Sequence, residues 1–296
     1  MDKLPAKIKY AGHAKLIYRG TDNADLNRKE VTMQFKYCTL ELDGPVGVLR
    51  LDHQEVMNAV SMDMLGGLAE ALDAIEDRKD EVRCVVLTGA GRAFCTGANL
   101  QGRSQQQKPG RSNAGAALET GFHPFLRRVR NLHCPLVTAV NGPAAGAGMS
   151  FALLGDMILA ARSAYFLQAF RRIGLVPDCG STWLLPRLVG KARSIELSLM
   201  GERLAAEKAL EWGLINRVYD DADLMAEAMK LAHELANGPT VALSLIRKLY
   251  WDSPENSFED QLNLEFLSQR VAGATEDFKE GVTAFLEKRP AKFKGK

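Results

Sequence analysis

Residues 136–160 read LVTAVNGPAAGAGMSFALLGDMILA, and this stretch decides the fold class. Leu136–Val140 is a short apolar strand, and Asn141–Gly148 is a turn made almost wholly of small residues. Met149–Leu154 has the composition of a compact buried helix, and Met157–Ala160 is a second buried strand. Strand, glycine-rich turn, helix and strand in such quick succession are the rhythm of an α/β fold built from repeated ββα units.

Working outward, the same pattern recurs upstream. Cys84–Thr88 is a continuous apolar strand that ends in Gly89, Ala90 and Gly91. Before it, Met62, Leu65, Leu68, Leu72 and Ile75 recur at three- and four-residue spacing behind Ser61, which predicts a helix over 62–77 with a serine N-cap. Tyr37–Leu42 and Val46–Leu51 are β-prone runs split by Asp43, Gly44 and Pro45, the mark of a hairpin. A helix is expected over 115–131, and the polar stretch Gln101–Asn113 reads as a mobile surface loop.

Residues 1–34 have a turn-rich break at Gly20–Asn23 and no clear hydrophobic period, so they read as a peripheral extension, with Met33 a candidate start of the folded module. From about Ala206 the segments 206–212, 222–236, 239–250, 257–271 and 275–287 all carry helical spacing. The expected organisation is an extension over 1–34, an α/β core over 35–205 and an all-helical lobe over 206–296.

With 296 residues, 46% hydrophobic and 25% charged, the chain can bury a large core, which excludes disorder, collagen and a coiled-coil rod. Its net charge of +2 gives no general argument for nucleic-acid binding. Five cysteines, odd in number, scattered and never in a CxxC, suggest neither a disulfide framework nor a zinc site, and a reducing cytoplasm fits them best. No run approaches the length needed to span a bilayer and no signal-peptide core opens the chain, so no membrane partner is expected.

Several familiar chemistries lack their residues: there is no GxxxxGK[ST], GxGxxG after a strand, GxSxG or HExxH. No metal and no redox cofactor is therefore expected. The histidines His13, His53, His123, His133 and His233 are dispersed and read as structural or surface residues. Three segments remain: Gly91–Leu100 (GRAFCTGANL), Asn141–Ser150 (NGPAAGAGMS) and Ile173–Thr182 (IGLVPDCGST). In each, small residues follow a strand or mark a tight turn, where backbone can approach a ligand closely. Taken singly, each reads equally as a plain turn.

Together, in this order and spacing, the three segments resemble the enoyl-CoA hydratase/isomerase, or crotonase, family. The Asn58-Ala59 step before the first helix and the tail from Phe285 to Lys296 carry the resemblance over about residues 36–296. It implies a ClpP-like crotonase spiral with a C-terminal helical trimerisation lobe, a homotrimer or dimer of trimers, and an acyl-CoA substrate of which CoA is a part, with no separate cofactor and no nucleic acid. It further implies that backbone N–H groups of Ala98 and Ala147 form an oxyanion hole for the thioester enolate, a device whose loss costs about 2.7–4 kcal/mol elsewhere. CoA is expected against Ala59, Ala98, Asn99 and Leu100, with phosphate charge met by Lys288 or Lys292. The basic residue many members carry before the Asn-Ala step is Met57 here.

The resemblance also separates reactions. The two glutamates of the family's hydratases would fall at Ser150 and Phe170, and neither is an acid. One carboxylate stands instead at Asp178, and its surroundings look most like ring-1,2-epoxyphenylacetyl-CoA isomerases and related enoyl-CoA isomerases. One acid suffices to move a proton between carbons while the oxyanion hole holds the dienolate. The expectation is an acyl-CoA isomerase with Asp178 as proton shuttle; the alternatives are a hydratase using Asp178 alone and a non-catalytic CoA- or RNA-binding relative.

At single residues, Asp178 also reads as an N-cap of the helix over 182–188, and Leu175, Val176 and Trp183 are expected to desolvate it. Ser150 reads as bonded to local backbone, Cys95 and Cys179 as packing, and Arg171 and Arg172 as surface or subunit contacts.

Overall fold

A computed structural model of the chain describes residues 15–19, 30–100 and 115–296. The loop expected over 101–113 and most of the extension expected over 1–34 lie outside the described residues. The main sheet runs β1 (Lys15–Arg19), β2 (Glu30–Phe35), β3 (Cys38–Asp43), β4 (Val46–Leu51), β5 (Cys84–Gly89), β6 (Leu136–Val140), β8 (Met157–Ala161) and β11 (Arg217–Tyr219) in spatial order. From β1 to β4 neighbours are antiparallel; from β4 onward they are parallel, with Leu49 beside Leu87 and Leu87 beside Thr138. A small second sheet holds β7 (Ala144–Ala145), β9 (Tyr165–Leu167) and β10 (Arg203–Ala205), with β9 in the middle.

The parallel strands β5 and β6 are buried along their whole length because helices cover them. Helix α1 (Met62–Glu76) buries Met64, Leu65, Leu68, Leu72 and Ile75, and the Ser61 hydroxyl accepts the Met64 N–H as the expected N-cap. The hairpin β3–β4 also forms as read, with Gly44 at φ 56° in its turn.

Three expectations change. Residues 30–34 are not peripheral, because β2 pairs with β3 and turns Met33 and Phe35 inward, a period-two pattern too brief to stand out from its polar neighbours. The helix expected over 115–131 forms over 116–130, but its turn at Leu118–Phe122 is widened to π-helical ahead of α2 (His123–Arg130). Pro124 has no N–H to donate to the preceding turn, and the widened turn accommodates it.

The region from 206 onward is not all helical. After α3 (Ala147–Ala152), α4 (Ser181–Val189), α5 (Lys191–Met200) and α6 (Ala206–Glu211), strand β11 joins the main sheet beside β8. Helix α7 (Leu224–Ala236) then covers that sheet with Leu224, Ala228, Leu231 and Ala232. The peripheral helical end is α8 (Thr240–Asp252), α9 (Phe258–Gly273) and α10 (Glu276–Leu286).

Helix α8 is anchored from below. Buried Arg247 pairs with Asp156 at 2.5 Å and donates to the carbonyls of Val129, Arg130 and Leu132, so it ties α8 to the end of α2 and the start of β6. Trp251 stacks on Trp183 of α4 at 5.6 Å. The described helices include none long and apolar enough to cross a membrane.

Candidate active site

The carboxyl ends of adjacent parallel strands β4, β5 and β6 open into residues 52–61, 90–100 and 141–146, the position where open α/β sheets bind ligands. Two asparagines weld these loops together. Asn58, fully buried and left-handed at φ 57°, donates to the carbonyls of Ala90 and Ala93 at 2.9 and 2.8 Å and accepts the His53 N–H. Asn141 reaches the same loop from the other side, accepting the Gly89 N–H and donating to the Gly91 carbonyl. Thr96 closes the arrangement through the carbonyls of Val56 and Met57.

These clamps hold three loops distant in sequence against one another. The Asn58-Ala59 step was visible, but bonds spanning more than thirty residues have no local signal. Asparagine suits position 58 because it tolerates the left-handed region and brings its own donors and acceptor.

Ala98 and Ala147 are brought to one place. Val60 and Asn99 bond to the carbonyls and N–H groups around Ala98, as Val60 N to Gly97 O and Asn99 N to Val60 O, so that loop lies as a short parallel bridge along residue 60. The Gly97 Cα sits 3.9 Å from where a Cβ on Gly146 would be, and the Ala147 nitrogen 3.7 Å from where one on Gly97 would be. Among the described residues neither the Ala98 nor the Ala147 N–H has an acceptor. Gly146 reaches this contact at φ 52°, ψ −126°, a region open to glycine. Two residues further on, a side chain on Gly148 would collide with the Cys95 carbonyl.

Ala59 is buried on the same turn as Asn58, whereas Asn99 is half-buried and Leu100 exposed at the rim. Phe170 is buried, with its ring tip 3.8 Å from where a Cβ on Gly146 would be, so the loop that carries Ala147 has an apolar wall. Lys288 and Lys292 are exposed on the peripheral helical end, where the Lys292 N–H donates to Glu280.

Asp178 is half-buried at the entrance to α4, but it is not the N-cap. Gly180 holds that position, and the Asp178 carbonyl meets the helix start by accepting the Ser181 N–H and hydroxyl. Leu175 and Val176, expected to desolvate Asp178, are 39% and 78% exposed; the chain turns them outward after the 3-10 turn Phe170–Ile173. The Ser150 hydroxyl is buried and donates to the Asp178 carbonyl at 3.2 Å rather than to backbone of its own helix.

The cysteines nearby are packing groups. Burial pushes the Cys95 thiol up to about 12, and burial together with the Asp178 charge raises Cys179 further, so neither is a thiolate near neutral pH. Arg171 and Arg172 cap the carbonyls of Leu199, Met200 and Gly201 at the end of α5. His133 meets the Val82 carbonyl and His233 pairs with Asp43, both structural partners. Among the described residues no three of His, Cys, Asp and Glu gather as a metal site.

The chain matches the enoyl-CoA hydratase/isomerase family over residues 41–296. It is 46% identical to the 1,2-epoxyphenylacetyl-CoA isomerase of Escherichia coli over 85% of this chain and 95% of that protein. It is 40% identical to the "probable enoyl-CoA hydratase" of Rhodobacter capsulatus, over 89% of this chain and all of the relative. Among solved structures, an enoyl-CoA hydratase/isomerase from Cupriavidus metallidurans superposes with a TM-score of 0.82 at 32% identity, covering 88% of this chain and 97% of that one. A protein with this sheet, these clamped loops and these matches across nearly its whole length belongs to the enoyl-CoA hydratase/isomerase, or crotonase, family.

Proposed function

We propose that this enzyme is an acyl-CoA isomerase in which Asp178 carries the proton. The observation that supports this best is that segments 91–100, 141–150 and 165–182, which carry Ala98, Ala147 and the chain packed against them, contain one carboxylate, Asp178; in the neighbouring 52–61 loop Asp52 accepts from Gln54 and Glu55 is exposed. Ser150 and Phe170 stand where the family resemblance would put a hydratase's two glutamates. The first spends its hydroxyl on a backbone carbonyl, and the second offers a ring where water activation would need an acid.

In the proposed reaction the thioester oxygen takes the N–H groups of Ala98 and Ala147, which stabilise the enolate as charge develops. Asp178 removes a proton from one carbon and returns it to another, a cycle that needs a single group able to act as base and then acid. CoA lies along Ala59 and Ala98–Leu100. The same enolate serves a double-bond shift or the opening of a ring epoxide, and similarity to an epoxyphenylacetyl-CoA isomerase favours including the second among the substrates tried. The exposed aromatic residues of α8–α10 favour a homo-oligomer, and the family resemblance a trimer or dimer of trimers.

The test is product analysis by mass spectrometry and NMR in D₂O. A 3-enoyl-CoA, a 2-enoyl-CoA and an aryl-epoxide acyl-CoA are each incubated with wild type and with Asp178→Asn. Deuterium-labelled isomer from wild type, and its formation slowed about 10²–10⁴-fold in the variant, is the expected result. A 3-hydroxyacyl-CoA product points to the hydratase, and an unimpaired variant removes Asp178 from the mechanism.

A further inference from the structure

The proposed acid sits on an unusual piece of backbone. Cys179 and Gly180 are both left-handed, at φ 52° and φ 80°, and the Ser181 N–H closes the turn onto the Asp178 carbonyl at 3.1 Å. Two left-handed central residues make the pattern of a type I′ turn, which favours Asn-Gly; a cysteine in the first of them is strained. Such a turn persists only where its surroundings over-determine it.

The surroundings converge on one atom. The Asp178 carbonyl oxygen accepts the Ser181 N–H at 3.1 Å, the Ser181 hydroxyl at 3.0 Å and the Ser150 hydroxyl at 3.2 Å. Two of these donors come from the helix that follows the turn. The third comes from α3, the helix that begins with Ala147. Ser150 is fully buried, and its own N–H already bonds to the Gly146 carbonyl, so its hydroxyl is committed across the gap between elements.

We infer that Ser150 is a positioning residue: its hydroxyl fixes the peptide of Asp178 relative to the α3 end that carries Ala147. It thereby sets the separation of the proton-carrying carboxylate from the oxyanion donor. A group holding two reacting parts in register acts on turnover rather than on affinity, because the substrate's binding contacts lie elsewhere. The inference rests on Asp178 being the proton shuttle.

A double-mutant cycle separates a positioning role from a merely structural one. Wild type, Ser150→Ala, Asp178→Asn and the double variant are compared for kcat and KM on the isomerised thioester, with thermal melting recorded for each. Loss of one buried hydrogen bond predicts a fall in kcat of about tenfold for Ser150→Ala, with KM within about twofold. In the Asp178→Asn background the same substitution should change kcat no further, since a residue acting through Asp178 has nothing left to position.

Ser150→Cys fills the same space with a weak donor and should behave as the alanine variant does. It carries the test if the alanine variant does not fold. An unchanged kcat for folded Ser150 variants, a KM rise that accounts for the loss, or full additivity in the cycle overturns the positioning role while leaving Asp178 in place. An unimpaired Asp178→Asn overturns the proton-shuttle reading, and the positioning role with it.

Discussion

Asn58 shows how much of this site is a matter of single side chains. Its amide supplies donors to two buried carbonyls, and its backbone occupies a region alanine avoids. Asn58→Ala should therefore cost about 2–4 kcal/mol in urea unfolding, through unpaired carbonyls and the left-handed conformation together. Glycine at 58 should recover only the conformational part, about 1 kcal/mol. Ala147 permits a cleaner experiment on the oxyanion hole. It is the first residue of α3, where proline fits a helix, and Gly146 before it lies outside the helical region that a following proline forbids. Ala147→Pro should thus keep the fold, as judged by circular dichroism, while kcat falls about 10²–10³-fold; a variant of normal activity would mean that this N–H is not a donor to the substrate.

At the scale of elements, local pattern and tertiary partner part company. Helix α1 and strands β5 and β6 were legible because each carries its own period and its own punctuation, down to the Ser61 cap. Strands β2 and β11 were not, since Glu30–Phe35 alternates for too short a run and Arg217–Tyr219 is only three residues that become a strand by lying beside β8. The candidate site divides similarly. Its glycine turns and Asp178 could be found in the sequence, whereas the outward turn of Leu175 and Val176 and the bond from Ser150 to Asp178 depend on how distant segments pack.

Helix α10 makes a pH prediction. The Arg289 guanidinium, helped by the Lys292 N–H, holds the Glu280 carboxyl down to about 2 from its ordinary 4.5. A depressed carboxyl contributes stability above its unfolded value and loses it as the pH falls, here between about 4.5 and about 2. Carboxyl-carbon NMR should find Glu280 still ionised at pH 4, and Arg289→Gln should return its midpoint toward the ordinary value.

For the whole molecule, the outer helices leave a broad apolar surface exposed. Phe258, Phe266, Phe278 and Phe285 on α9 and α10, with Tyr250 on α8, are more than half exposed, and Phe285 reaches 82%. Sedimentation equilibrium should give a mass at a multiple of 32.5 kDa, and Phe266→Glu with Phe285→Glu should shift it toward that single-chain value. A monomer at micromolar concentration would remove the assembly reading. The architecture behind that surface places its clamps far apart along the chain. Asn58 must wait for Ala90 and Ala93, and Ser150 for the carbonyl of Asp178. At about 5–20 residues per second of synthesis, on the order of ten seconds separate the first of these residues from the last. During translation the ribosome therefore presents the earlier loops while their hydrogen-bond partners are still to be made.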